Sequence, residues 1–262
     1  MPVTSKYTSK LGAGLGLITE TKNLLEIWSE GMSTRELHQA ALDSGRFPSI
    51  TARRLQNIIT DCFAPRYFVD DGKPAWILKR LMINLSSQEA AQLFFLFTSR
   101  ANPILGDFVR QTYWAKYIAG ADSITNDDAR EFVLRAIDDR KVMRAWSDKT
   151  IRNVSGYLTG CCGDFGLLEA GQKTRRKIVP FRIAPRVAAY LAYDLHFSGV
   201  SDNAIMTHDD WKLFGLDRQD VLEEMKRLSL KGFLLIQSAG DMVRVSWKIP
   251  TLEALCDVLS QS

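Results

Sequence analysis

Lysine and arginine crowd one stretch of this chain. Residues 141–190 hold ten of them against three acids (Asp148, Asp164 and Glu169), a local charge of +7 in a chain whose net charge is only +4. The remainder therefore sums to −3. Positive charge gathered in one stretch of a near-neutral protein is the electrostatic pattern of a surface that meets phosphates. Spacing sharpens this reading. From Ser147, an N-cap residue, Ile151, Val154, Leu158, Cys161 and Phe165 recur at steps of three and four. Lys149, Arg152, Asn153 and Gly156 then share the opposite helix face. Gly166-Leu167-Leu168 follows as a strand, Glu169 to Arg176 as a turn, and Lys177 to Ile183 as a returning strand. Arg152 and Asn153 are residue types that read base edges, with Lys149 beside them. Lys173, Arg175, Arg176 and Lys177, with Arg182 on the returning strand, are types that hold backbone phosphates. Helix, strand and basic hairpin in this order are the pattern of a winged helix.

Other chemistries find less support. Gly12-Ala13-Gly14-Leu15-Gly16 invites comparison with phosphate-cradling loops, yet Leu17-Ile18 stands where a P-loop needs Lys and then Ser or Thr. His208-Asp209-Asp210 is accounted for by helix capping, with Thr207 and Asp210 as the capping pair. Four cysteines (62, 161, 162, 256) form no Cys-x-x-Cys pair, and three histidines are scattered. Cys161 and Cys162 read as small buried thiols. No metal, cofactor or catalytic constellation is expected, and the reading is not that of an enzyme.

The elements that must position the basic residues are mostly helices. Ser33 with Glu36 opens a helix to about Asp43, and a second runs from about Thr51 to Phe63 with Leu55, Ile58, Ile59 and Cys62 on one face. Arg53 and Arg54 lie on the other face, matching a helix-turn-helix. From Trp76 to Arg140 the pattern is a helical bundle: Ser86 with Glu89 caps one helix, Asn102-Pro103 ends it, and Thr125 with Asp128 starts another. After Thr207 come a short helix, a second opened by Asp217, and strands over 233–237 and 242–249, again in winged-helix order. The second of these helices is nearly neutral, which favours protein over DNA as its contact.

At 262 residues, with 46% hydrophobic and 24% charged residues, the composition is that of an ordinary globular chain. The apolar run from Leu93 to Phe97 is far short of the ~20 residues that span a bilayer. A cytoplasmic protein with no membrane contact is expected.

The glycine-rich opening Leu11 to Leu17, the helical middle, Trp146-Ser147-x-x-Thr150 and Gly166-Leu167-Leu168-Glu169 together resemble the BrxA proteins of bacterial BREX phage-exclusion systems. The likeness runs roughly from Gly12 to Ile183. It implies a mainly helical, non-catalytic, DNA-binding component of a defence locus that works with other BREX proteins. The expected fold is mainly α, a helical bundle with helix-turn-helix and winged-helix-like modules and small β-hairpin wings. Its expected divisions are 1–75, 76–140, 141–200 and 201–262. The expected ligand is double-stranded DNA; the alternatives are a scaffold for other defence subunits and an RNA-binding helical protein.

Overall fold

The computed structural model describes residues 7–9, 16–142, 145–171, 174–240 and 242–261, and helices dominate them. In chain order these are α1 (Ile18–Ile27), α2 (Thr34–Asp43), α3 (Ala52–Asn57), α4 (Ala64–Tyr67), α5 (Lys73–Leu81), α6 (Ser87–Ala101), α7 (Pro103–Phe108), α8 (Trp114–Ile118), α9 (Asn126–Asp138), α10 (Asp148–Asp164), α11 (Pro185–Phe197), α12 (Asp202–Ile205), α13 (Asp209–Lys212), α14 (Arg218–Leu230) and α15 (Leu252–Gln261). Four strands accompany them: β1 (Ser123–Thr125), β2 (Arg175–Lys177), β3 (Leu234–Ala239) and β4 (Met242–Trp247). Single π-helical turns, Ile58–Phe63 and Val109–Tyr113, join α3 to α4 and α7 to α8. No described helix is long and apolar enough to cross a membrane. The chain divides into two compact units, Met1–Lys79 with Phe94–Pro180, and Arg80–Leu93 with Phe181–Ser262. The segment 141–200, expected as one module, is therefore shared between them at Pro180.

In the first unit the capping chemistry is realised as the sequence dictates. Ser33 and Glu36 bond reciprocally at the start of α2, and the Thr51 hydroxyl accepts from the Arg54 N–H at the start of α3. Leu55, Ile58, Ile59 and Cys62 are buried, while Arg53, Arg54 and Asn57 are exposed. The buried face continues into an aromatic cluster, where Tyr67 meets Phe63, Phe94 and Phe97 at ring separations of 5.0, 6.2 and 6.1 Å. Each such buried large apolar side chain contributes about 1.5–3 kcal/mol relative to leaving it in water. Thr125 and Asp128 form the capping box of α9, whose Phe132 and Val133 face inward. Helices α9 and α10 pack together, and Thr159 on α10 donates to Asn126 Oδ1 at 2.7 Å. A small antiparallel sheet completes this region, with Ser123, Ile124 and Thr125 opposite Lys177, Arg176 and Arg175, and Leu168 bridged to Ile178.

That sheet departs from expectation. Arg175 and Arg176 belong to a strand rather than to a turn, because β1 supplies an edge for them to pair with. The ladder stops soon after Ile178 instead of running on to Ile183; Val179 still donates to the Leu167 carbonyl, and Pro180 has no N–H to continue.

In the second unit, α11 is buried at every position from Val187 to Leu195, as suits a helix surrounded by neighbours. Its Tyr193 hydroxyl donates to the Phe233 carbonyl at 2.6 Å and accepts from the Lys248 and Ile249 N–H groups at 3.1 and 3.2 Å. Asp217 opens α14 as expected, and forms a capping box with Asp220. At α13 the expectation fails: the His208 ring, not Thr207, accepts from the Asp210 N–H. β3 and β4 pair from Leu234↔Trp247 to Ala239↔Met242. Arg186 grips Glu89 through two bonds of 2.8 Å each, and Glu89 also accepts from Ser86 at the start of α6. Arg186 Nη1 further donates to the Asn84 and Leu259 carbonyls, so this arginine, counted in the basic stretch, is a structural fastener.

Two substitutions test the packing and one tests the ion pair. A Cβ on Gly16 would stand 2.6 Å from Asp164 Cβ, so Gly16→Ala should lower the denaturation midpoint by an amount equivalent to about 1–3 kcal/mol. Gly156, inside α10 with open space around it, should gain about 0.5–1 kcal/mol as Ala; equal midpoints for both variants would contradict the packing. Burial pushes the Glu89 carboxyl up, but the bonds from Arg186 and Ser86 outweigh this and hold it below its ordinary value. Its contribution to stability is thus full above the ordinary glutamate range and fades as pH falls through the lowered value. Glu89→Gln should be less stable at neutral pH and lose less on acidification, measured by urea titrations across pH.

Candidate nucleic-acid interface

The basic helix is a long one with two unlike halves. Ser147 caps α10, its hydroxyl accepting from the Thr150 N–H at 3.3 Å. From Val154 onward the helix sinks into the first unit: Leu158, Cys161 and Cys162 are fully covered, and Phe165 packs on Phe95 at 5.7 Å. Burial pushes the Cys161 thiol up to about 12 and Cys162 well above its ordinary value, so neither is a nucleophile near neutrality. Gly166, at φ +84°, ends the helix in the left-handed conformation. Gly16 donates its N–H to Asp164 at 2.9 Å, so the one described glycine of the Gly-rich opening faces a carboxylate rather than a phosphate; Gly12 to Leu15 lie outside the described residues.

The first turns of α10 stay outside the core. Lys149, Arg152 and Asn153 are all exposed, at i, i+3 and i+4 on one face. No ion pair or hydrogen bond occupies the Lys149 or Arg152 side chain among the described residues.

β2 sorts its three basic residues by strand alternation. Arg175 and Lys177 are exposed, whereas Arg176 is 7% exposed and turned inward. Its Nη1 donates to the Glu169 carbonyl at 2.9 Å, a Cβ on Gly163 would stand 2.9 Å from that same nitrogen, and its Nε is buried with no partner among the described residues. Arg176, expected at an exposed tip, is instead part of the contact that fixes Glu169 and β2 on the end of α10. Arg175 is fastened at the surface, with Nε on Ser123 Oγ at 2.7 Å and Nη2 on Asp122 at 3.0 Å. The bond from Ser123, and then Arg175, hold the Asp122 carboxyl below its usual range. An exposed pair of this kind is screened by solvent and weak enough for a phosphate to displace the carboxylate.

The other basic residues named from the sequence have different surroundings. Arg53 and Arg54 are exposed on α3, in the same unit as α10, and the His38 ring lies 3.1 Å from the Ala52 carbonyl at the start of that helix. Arg182 is exposed but belongs to the second unit, where its carbonyl accepts from Gln92. Lys173 lies outside the described residues. Sequence reasoning missed β1, whose Ser-Ile-Thr alternation around buried Ile124 was the available signal, and with it Asp122 and Ser123 as partners of Arg175.

The charge of the two units differs in the same sense. Counted from the sequence, the first carries +6 and the second −2.

Comparison with known proteins now places the chain. A crystal structure of an uncharacterized protein from Magnetospirillum magneticum is similar in fold, with a TM-score of 0.59 at 17% identity over 73% of this chain and 95% of that one. No curated protein matches. The profile of the BrxA family matches residues 5–194, well over half of the chain. The chain therefore belongs to the BrxA family, and that membership points to a role in BREX phage defence.

Proposed function

We propose that this protein is a non-catalytic, DNA-binding member of a BREX system that grips duplex DNA with the first turns of α10 and the outer face of β2. The observation that carries the reading is the trio Lys149, Arg152 and Asn153, exposed and unengaged among the described residues, projecting from a helix whose other half is anchored in the core. The order of elements supports it. α8, β1, α9, α10, an isolated bridge at Leu168 and β2 follow one another as helix, strand, helix, helix, bridge, strand, with β1 paired to β2. A winged helix has this order when the Leu168 bridge stands for its second strand, and its third helix enters the major groove. Arg152 and Asn153 would then reach base edges, with Lys149, Lys177 and Arg175 on phosphates. Arg53 and Arg54, on the second helix of the α2–α3 pair, offer a further backbone contact in helix-turn-helix fashion. Other BREX proteins are the partners that family membership suggests.

The test is a salt-dependent titration of duplex DNA. Each phosphate neutralised adds about −0.9 to the slope of log affinity against log salt. Lys149→Ala, Arg152→Ala and Lys177→Ala together should weaken binding at least about tenfold and, with two phosphate contacts removed, flatten the slope by up to ~1.8. Unchanged affinity and slope would overturn the reading. Arg176→Ala separates fold from contact: removing an inward-facing side chain should lower the unfolding midpoint, while the salt slope at temperatures where the variant is folded stays near that of the wild type. Retention of other BREX proteins with no duplex binding at about 150 mM salt would favour the scaffold alternative.

A further inference from the structure

The hairpin of the second unit has two edges, and only one is closed. On the β4 side the Val243 N–H donates to Asn203 Oδ1 at 3.0 Å and the Val245 N–H to Asp202 Oδ2 at 2.8 Å. These side chains stand where a third strand would lie. Their geometry also fixes the sense of the ladder. If the N–H groups of Val243 and Val245 point away from β3, their partners Ser238 and Ile236 occupy the pairs without hydrogen bonds. The N–H and C=O groups of Ile236 and Ser238 therefore point away from β4, along the outer edge of β3. Among the described residues no side chain or strand meets them there.

We propose that this edge pairs with the same edge of a second copy of the chain, antiparallel about a two-fold axis at Gln237. Ile236 would bond Ser238 of the second copy and Ser238 its Ile236, giving a four-stranded sheet. Three features select this occupant. β3 reads Leu-Leu-Ile-Gln-Ser-Ala and carries no charge, so self-pairing sets no like charges opposite one another. Exposed edge strands are ordinarily guarded by Lys, Pro or a bulge, and β3 has none of these, in contrast to the guarded β4 edge. Leu235, 52% exposed, lies on the solvent face beside the axis and would be partly covered by the partner strand. Six-residue strands alone bury well under the ~1,200 Å² of a stable interface, so the dimer should be weak, with a Kd on the order of micromolar or above.

Sedimentation velocity on the full chain, from about 1 to about 200 μM without DNA, reads the association directly. Wild type should shift from monomer to dimer across this range. Ser238→Pro removes an outward N–H without breaking a β3–β4 bond and should remain monomeric. Because a proline could disturb the hairpin, Gln237→Lys and Gln237→Glu give an independent reading. Each alone should be monomeric through like-charge opposition at the axis, and an equimolar mixture should dimerise. A wild type monomeric at about 200 μM would leave the edge to a strand of some other protein and overturn the proposal. So would a Ser238→Pro variant that dimerises like wild type, or charge variants that fail to rescue one another.

Discussion

The burial of the second half of α10 is the constraint on which the rest of the site depends. Leu158, Cys161 and Cys162 are sealed, Phe165 packs against Phe95, Gly16 is bonded to Asp164, and Arg176 lies against Gly163. A helix held so firmly at one end presents its other end in a fixed direction. Lys149, Arg152 and Asn153 need no structure of their own to be positioned, because the rigid rod behind them does it. The same contacts explain the fate of the neighbouring basic strand. With Arg176 drawn inward, the alternation of β2 compels Arg175 and Lys177 outward.

Much of this was legible in the sequence, since helical periodicity and capping chemistry are local signals. The stripe Ile151, Val154, Leu158, Cys161 and Phe165 is buried as its spacing requires, and the pairs Ser33–Glu36, Ser86–Glu89 and Thr125–Asp128, with Asp217, all cap helices. Non-local pairing was not legible. β1 and β2 are three residues each and lie about fifty positions apart, so nothing near Arg175 announces Ser123 as its partner. A run of lysine and arginine likewise conceals which members face solvent. Arg175, Arg176 and Arg186 look alike in sequence, yet one is tethered at the surface, one is folded against a helix end, and one clamps Glu89 and two carbonyls. The boundary at Pro180 was hidden for a related reason, since it follows from which segments pack together rather than from any change in composition.

The second unit uses its polar groups differently. Arg186 with Glu89, Tyr193 with three backbone groups, and Asp202 with the β4 edge all spend their hydrogen-bonding capacity inside the fold. Such groups fix one arrangement of helices and hairpin. The first unit instead leaves Lys149, Arg152 and Lys177 exposed and carries the excess positive charge. The division of charge and the division of packing coincide.

The most direct measurement of the central claim is amide hydrogen exchange of the whole chain with and without a saturating DNA duplex. The account predicts added protection at residues 147–153 and at 175–177, with the 234–247 hairpin unaltered. Protection confined to the hairpin, or absent from the first turns of α10, would contradict it.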